Sequence, residues 1–318
     1  MSKRVLTVYW SQSGQTERVA HAMVAPLEAD PSIEVVHARL QPEVDYPFPW
    51  TVTRFLDVFP ESVHLDPPPM QPLDLGDEEE FDLVILVYQV WFLSPCPPIT
   101  GFLRSAQGQR ILRNTPVVTV TACRNMWLTA QQKVKALLAE AGAAHRDHVA
   151  VVDPGPPLAT FITTPRWLLS GKRGREDGWL PPAGLTEKQI AGMARFGRAL
   201  REALKEGRED LDAPMLTGLE AAPVDRRFIT SEAIGHRSFY IWGKLIRAVG
   251  RQGQRRRRPV LYLYMLFLIA MIITVVPISL LVQRIARPLM ARRLDEKQRA
   301  HEAPSGAGRE RMDIFDGE

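Results

Sequence analysis

An α/β doubly wound parallel sheet followed by one transmembrane helix is the architecture that this 318-residue sequence predicts. Short apolar, β-branched runs alternate with amphipathic stretches over the first 207 residues, the pattern of strands interleaved with helices. A hydroxyl-rich loop with one glycine joins the first apolar run to the first amphipathic stretch. Later, residues 259–282 carry no charge over 24 positions.

Strands are predicted over 5–10, 33–40, 81–88 (FDLVILVY), 116–122 (PVVTVTA) and 148–153. The helix over 16–29 places Val19, Met23 and Leu27 on one face, and that over 129–140 does the same with Val134, Leu137 and Leu138. A long helix is predicted over 185–206, with Ile190, Met193, Phe196, Leu200 and Leu204 in register. Two connections, 41–80 and 154–184, are longer than such a sheet needs, and structureless connections of that length are usually functional or mobile. Val52, Phe55, Leu56 and Phe59 are spaced as a short helix in the first of them. Trp167 and Trp179 in the second are read either as lid residues or as loop packing.

Composition narrows the class. With 45% hydrophobic and 24% charged residues, whole-chain disorder is excluded. Cys96 and Cys123 are too few for a disulfide framework or a four-ligand zinc site, and two free thiols suit a reducing compartment. His145 and His148 form an HxxH without a third ligand nearby, read as a solvated pair, and no metal is expected. The net charge of +4 is local, because seven Lys and Arg and no acid lie between Gly243 and Pro259. Nucleic acid is therefore not indicated as a partner.

The basic run borders the uncharged stretch, which as a helix is about 36 Å long against a hydrocarbon core of about 30 Å. Tyr262 and Tyr264 sit near one end, where interfacial aromatics belong, and Pro277 is expected to kink the last turns. Seven Lys and Arg precede the stretch closely and six follow it, so charge does not orient it. Residues 1–4 lead straight into the first strand without a signal-type segment, which predicts a cytoplasmic domain on a single-pass anchor in the cytoplasmic membrane. Four parts are thus expected: a domain over 1–207, a basic juxtamembrane linker over 208–258, the transmembrane helix over 259–283 and a disordered polar tail over 284–318. Within the linker, 238–249 reads either as a helix on the membrane surface or as a solvated one.

The loop Ser11-Gln12-Ser13-Gly14-Gln15-Thr16 carries the chemistry. Backbone N–H groups at a helix N-terminus and three hydroxyls can solvate a phosphate without Lys or Arg, and Gly14 permits the turn. It is neither a Walker A loop nor the dinucleotide fingerprint. It resembles the first loop of the flavodoxin-like family, Ser/Thr-x-Ser/Thr-Gly-x-Thr, which binds the FMN phosphate. The stretch from Tyr88 to Leu103 (YQVWFLSPCPPITGFL) resembles the flavin-side loop of quinone-reductase-type members, and Cys123-Arg124-Asn125-Met126-Trp127 takes the third flavin-contacting position. The resemblance implies a five-stranded sheet of order 2-1-3-4-5 and FMN as cofactor. It implies contacts from Ser11, Ser13, Gly14, Gln15, Thr16, Gln89, Val90, Trp91, Phe92, Cys123, Arg124, Asn125, Met126 and Trp127, with NADH or NADPH as electron donor.

The segments YPFPW, FPES, QVWFLSP, RNMW and TTPRW together resemble proteins described as dialkylresorcinol-condensing enzymes, over about residues 1–180. Condensation normally needs a nucleophilic Cys with His partners, and neither Cys96 nor Cys123 has a His close in sequence. What fits is a flavin dehydrogenation that aromatises a cyclic dione beside such a condensing enzyme. Between Tyr88 and Ala130 there is no Asp or Glu, while Arg104, Arg110, Arg113 and Arg124 are present. A low-potential electron shuttle surrounds its flavin with acids. The expectation is accordingly a two-electron oxidoreductase with Arg124 as catalytic residue, acting on a hydrophobic quinone-like or cyclic-dione substrate. A membrane-tethered one-electron carrier is the alternative, and membrane lipids and a second copy of the chain are the other expected partners.

Overall fold

The computed structural model describes residues 2–76, 79–174 and 178–316, with the side chains of 275–290 outside the described set. In chain order the elements are β1 (Lys3–Tyr9), α1 (Gln15–Glu28), β2 (Ile33–Arg39), α2 (Val52–Val63), β3 (Leu83–Trp91), β4 (Ser94–Pro95), α3 (Pro97–Arg104) and α4 (Ala106–Leu112). They continue with β5 (Pro116–Cys123), α5 (Leu128–Glu140), β6 (Ala144–Val152), α6 (Pro157–Ser170), α7 (Glu187–Ala191), α8 (Ala194–Lys205), α9 (Arg226–Val249), α10 (Arg258–Glu302) and α11 (Met312–Phe315).

Five strands run parallel in the order β2-β1-β3-β5-β6, the expected 2-1-3-4-5 arrangement, and the two-residue β4 folds back antiparallel on β3. Side chains alternate across the sheet. Val5, Leu83, Ile85 and Val87 belong to the core shared with α1 and α8, while Leu6, Val84, Leu86 and Tyr88 belong to the core shared with α3, α4 and α5. Burial on both faces is why these strands read as unbroken apolar runs. Helices α1 and α8 approach so closely that a Cβ at Gly197 would lie 1.9 Å from the Met23 carbonyl oxygen, so only glycine fits there.

Three stretches differ from expectation. The predicted 185–206 helix is two helices, parted at Gly192 and Met193, with α7 opened by a Thr186–Gln189 capping box. The linker over 208–258 is mostly structured. Its residues 215–222 lie along the outer edge of β6, through Ala150 N to Ala221 O at 2.8 Å, and α9 takes up 24 residues. The predicted disordered tail, 284–318, is no such appendage over its described residues, which extend to 316. Helix α10 runs on to Glu302, and the segment behind it pairs with 218–222 through Ala222 N to Gly306 O and Glu220 N to Gly308 O. Phe315 then enters the core beside α8. Low hydrophobicity hid this because the segment is held by backbone pairing, which composition does not register.

Ser305 is the centre of that strap. Its hydroxyl donates to Asp147 Oδ1 at 2.7 Å and accepts from His148 N at 2.8 Å, and all three residues are buried. The Asp147 carboxylate also accepts from Met215 N and Leu216 N. His145 and His148 are likewise not a solvated pair, since an irregularity between Val117 and Val118 brings both imidazoles onto the Thr119 hydroxyl.

Burial pushes the Asp147 carboxyl up to about 6, against its hydrogen bonds. The folded chain therefore takes up this proton at higher pH than the unfolded chain, and the group's contribution to stability is lost as pH rises from about 4 through 6. In melting experiments the difference between wild type and Asp147→Asn is expected to widen in favour of wild type on acidification across that window. A pH-independent difference would show that Asp147 does not titrate there.

Candidate functional site

The site lies at the carboxyl ends of β1, β3 and β5, where an open α/β sheet reverses its strand order and binds ligands. After β1, Gly14 caps α1 with φ 85°, a left-handed conformation that suits glycine. Arg18 N to Gly14 O is the first helical pairing, so the N–H groups ahead of it have no intrahelical acceptor. Ser11 is buried and its Oγ has no partner among the described residues. The Gln15 side chain is committed to Leu185, donating to its carbonyl and accepting from its N–H, so only the Gln15 backbone remains for a ligand. Thr16 Oγ1 accepts from Gln89 Nε2 at 2.6 Å, and Gln89 Oε1 accepts from Trp91 Nε1 at 3.2 Å. The first and second predicted loops are thus tied together.

At the end of β3, Val90 is half-buried and pairs with β4. The Trp91 ring packs edge-on against Trp10, Tyr46 and Trp50 at centroid distances of 5.2–5.5 Å. Phe92 and Leu93 have φ of 51° and 58°, which reverses the chain. Phe92 thereby turns away from Trp91 and packs on Phe55 and Phe59 of α2, in a separate cluster with α9 and α10. The structure does not bring Phe92 to the site.

The loop after β5 divides in the same way. Asn125 Oδ1 is buried without a partner among the described residues, and Met126 holds the turn with φ 54°. Burial pushes the Cys123 thiol well up, so it is no thiolate. Trp127 is buried against His148, Ala150 and Ile229, so its ring serves the core at the mouth of α5. Arg124 lies over the Phe161 ring at 4.2 Å, and burial lowers its guanidinium to about 10 despite the nearby Asp153, leaving it charged at neutral pH.

Both long connections close over these loops. Trp50 N donates to Leu168 O at 2.7 Å, and Phe48 meets Trp167 edge-on. Gln12 Nε2 donates to Pro47 O, tying the first loop to the same cover. In α6, Thr160 and Thr163 are buried while Leu158 and Ile162 on the opposite side are 66% and 58% exposed, so the covering helix presents hydroxyls inward. Asp153 fastens the far edge by accepting from Gly155 N and Gly184 N. The cavity beside it, about 490 Å³, is lined by the loop after β5, the loop after β6 and residues of α8 and α9 including Arg195, Phe228 and Glu232. The first two loops do not line it.

Sequence reasoning missed Asp153, Trp10 and Tyr46. Asp153 had a signal, an acid at the carboxyl end of the last strand before Pro-Gly-Pro-Pro; Tyr46 opens the YPFPW segment already singled out, and Trp10 had none beyond its aromaticity. Elsewhere, His21, Glu28 and His37 bring ligand-type atoms within 4.8 Å at the surface, although no metal was expected; His37 is already paired to Glu28 at 2.6 Å.

No protein-family model matches the chain, and no curated protein matches it. Among solved structures it is similar to a flavoprotein in complex with FMN from Lactobacillus acidophilus NCFM, at 19% identity over 48% of this chain and 93% of that one, with a TM-score of 0.36. It is also similar to a flavodoxin from the domain Archaea (12% identity, 64% and 99% covered, TM-score 0.32) and to the azoreductase AzrA (15%, 61% and 99%, 0.32). The strand order and the position of the three loops give this chain the parallel α/β fold of the flavodoxins.

Proposed function

We propose that the chain is a membrane-associated, FMN-dependent oxidoreductase acting by two-electron transfer on a hydrophobic quinone-like or cyclic-dione substrate. The observation that carries the reading is the unsatisfied polar lining of the predicted loops. Among the described residues Ser11 Oγ, just ahead of the α1 N-terminus whose first N–H groups are unpaired, and Asn125 Oδ1, on the loop after β5, are buried without partners. Buried polar groups are normally hydrogen-bonded, so such a set fits a bound polar ligand. Ser11, Ser13, Thr16 and the α1 N–H groups would hold a phosphate, and Trp91 and Asn125 would border a ring. FMN, when bound, supplies hydride transfer. The chain's own part is to exclude water through α6 and to place the Arg124 charge where negative charge develops on a substrate.

Ring contacts support a greasy, flat substrate. They run from Trp91 through Trp50, Phe55, Phe92 and Phe59 to Tyr264 on α10. The one stretch among the described residues that is long and apolar enough to cross a membrane, Arg255–Thr274, takes in the first part of α10, and most of it is exposed. A cyclic dione that aromatises would suit the resemblance to dialkylresorcinol-condensing proteins and would place the chain beside a lipid-forming condensing enzyme; NADH or NADPH is the donor for substrates that are reduced.

Detergent-extracted protein is expected to be yellow, or to take up one FMN per chain, and to turn over long-chain quinones faster in liposomes than short-chain ones. Arg124→Ala is expected to lower turnover by about 10²-fold with flavin retained. Colourless protein that takes up no FMN sinks the proposal.

A further inference from the structure

The uncharged stretch is flanked by segments that dock on the same domain. Ahead of it, Arg257 is fully buried and paired with Glu61 at 3.0 Å, within 3.2 Å of Asp57. Leu261 and Tyr264 then pack on α2 and α9, with Tyr264 stacked on Phe59 at 4.2 Å. Beyond it, Asp295 pairs with Arg226 at 2.7 Å, Lys135 donates to Ala303 O, and Ser305 is bound to Asp147 and His148 in the sheet. A polar domain stays on one side of a bilayer. A helix held at both ends by that domain does not carry its ends to opposite faces of a core about 30 Å thick.

Charge gives an independent argument. Basic residues flank the stretch on both sides, Lys244 to Arg258 ahead and Arg284 to Arg299 behind, in nearly equal number. A crossing helix concentrates them at the cytoplasmic end, whereas a segment that enters and leaves by one face has both flanks there. The exposed face of α10 between, with Leu263, Leu266, Ile269 and Ile273, is apolar. Arg255, Arg256 and Arg258 are exposed at its start, which suits an anionic lipid surface.

We infer that α10 is a monotopic anchor. Its apolar part is embedded in the bilayer from the face on which the domain lies, without crossing, and residues 303–316 complete the fold on that same face. This replaces the single crossing expected from the sequence, and it rests on the membrane association proposed above but not on the cofactor.

The test is made on the full chain in cells, with one epitope ahead of Met1 and another after Glu318. Both epitopes are expected to survive protease in right-side-out spheroplasts and both to be lost in inside-out vesicles, with the chain remaining in carbonate-washed membranes. Epitopes cut from opposite faces would overturn the monotopic reading while leaving membrane association intact. Full-length chain in the soluble fraction without detergent would overturn both. A Ser305→Leu variant separates docking from topology: it is expected to make 303–316 readily cleaved on the domain's own face, and cleavage on the other face would again show a crossing.

Discussion

Alanine at both Ser13 and Thr16 is expected to weaken FMN binding by about 10²–10⁴-fold. Each hydroxyl would donate to a doubly charged acceptor, and such bonds contribute roughly 1.5–3 kcal/mol apiece, with each 1.4 kcal/mol a factor of ten. Thr16 Oγ1 already accepts from Gln89, which leaves its own proton free to donate to a phosphate. Losing it also frees Gln89, and with it the Trp91 indole, so ring stacking and phosphate binding fall together. Equilibrium dialysis or flavin fluorescence during titration measures the effect. Ser32→Ala, at the opposite end of the sheet, serves as the control and is expected to bind as wild type. Full flavin occupancy of the double variant at micromolar protein would remove the first loop from the site.

The second large effect is expected at Arg257. This side chain is 0% exposed, and Asp57 and Glu61 keep only 15% and 13% of their side-chain surface. Burial pushes the Glu61 carboxyl up and the guanidinium pulls it back. Removing one partner of such a group leaves uncompensated buried charge, at a cost of about 3–5 kcal/mol. Arg257→Ala is therefore expected to free α10 from α2, raising the rate of trypsin cleavage between 250 and 258 and lowering the melting temperature in detergent. Arg257→Met with Glu61→Leu and Asp57→Leu restores an apolar contact and is expected to recover most of the loss. If Arg257→Ala melts as wild type, the ion pair does not hold α10 on α2.

The sheet was legible because its central strands β1, β3 and β5 are buried on both faces for most of their length and so leave short apolar runs such as FDLVILVY, bounded by polar turns. The position of the first loop was legible because Gly14, at the turn into α1, takes a left-handed conformation and hydroxyl residues flank it. Trp91 and Phe92 show where legibility ends. Neighbours in an extended chain point to opposite sides, and here the left-handed turn at Phe92 and Leu93 completes the separation, so an aromatic pair in sequence no longer packs ring to ring and is linked through Trp50 and Phe55. Helix α6 was hidden for another reason. It carries Pro165 inside and buries threonines while exposing Leu158 and Ile162, the inverse of the pattern by which an amphipathic helix is recognised. A polar lining toward a ligand is what that inversion suits, and no periodicity rule expects it. The strap through Ser305 was missed because one hydroxyl meeting Asp147 across 158 positions leaves no trace in local composition.

That strap also sets an order of assembly. A sheet grows from the ribosome strand by strand, and β6 is its last strand. Its outer rim, though, is finished by 306–311 pairing beside 218–222, residues synthesised after the whole apolar stretch. Until then one bond to Asp147 stays unmade, part of the rim offers open backbone groups to any passing strand, and the Phe315 niche beside α8 is empty. The rim of the sheet is therefore closed only after the whole apolar segment in between has been synthesised, so a chain that stops within that segment is a chain left unfinished. Truncation after Arg258 accordingly does not release a finished soluble domain; it stops the molecule at the stage where an edge is still exposed to aggregation.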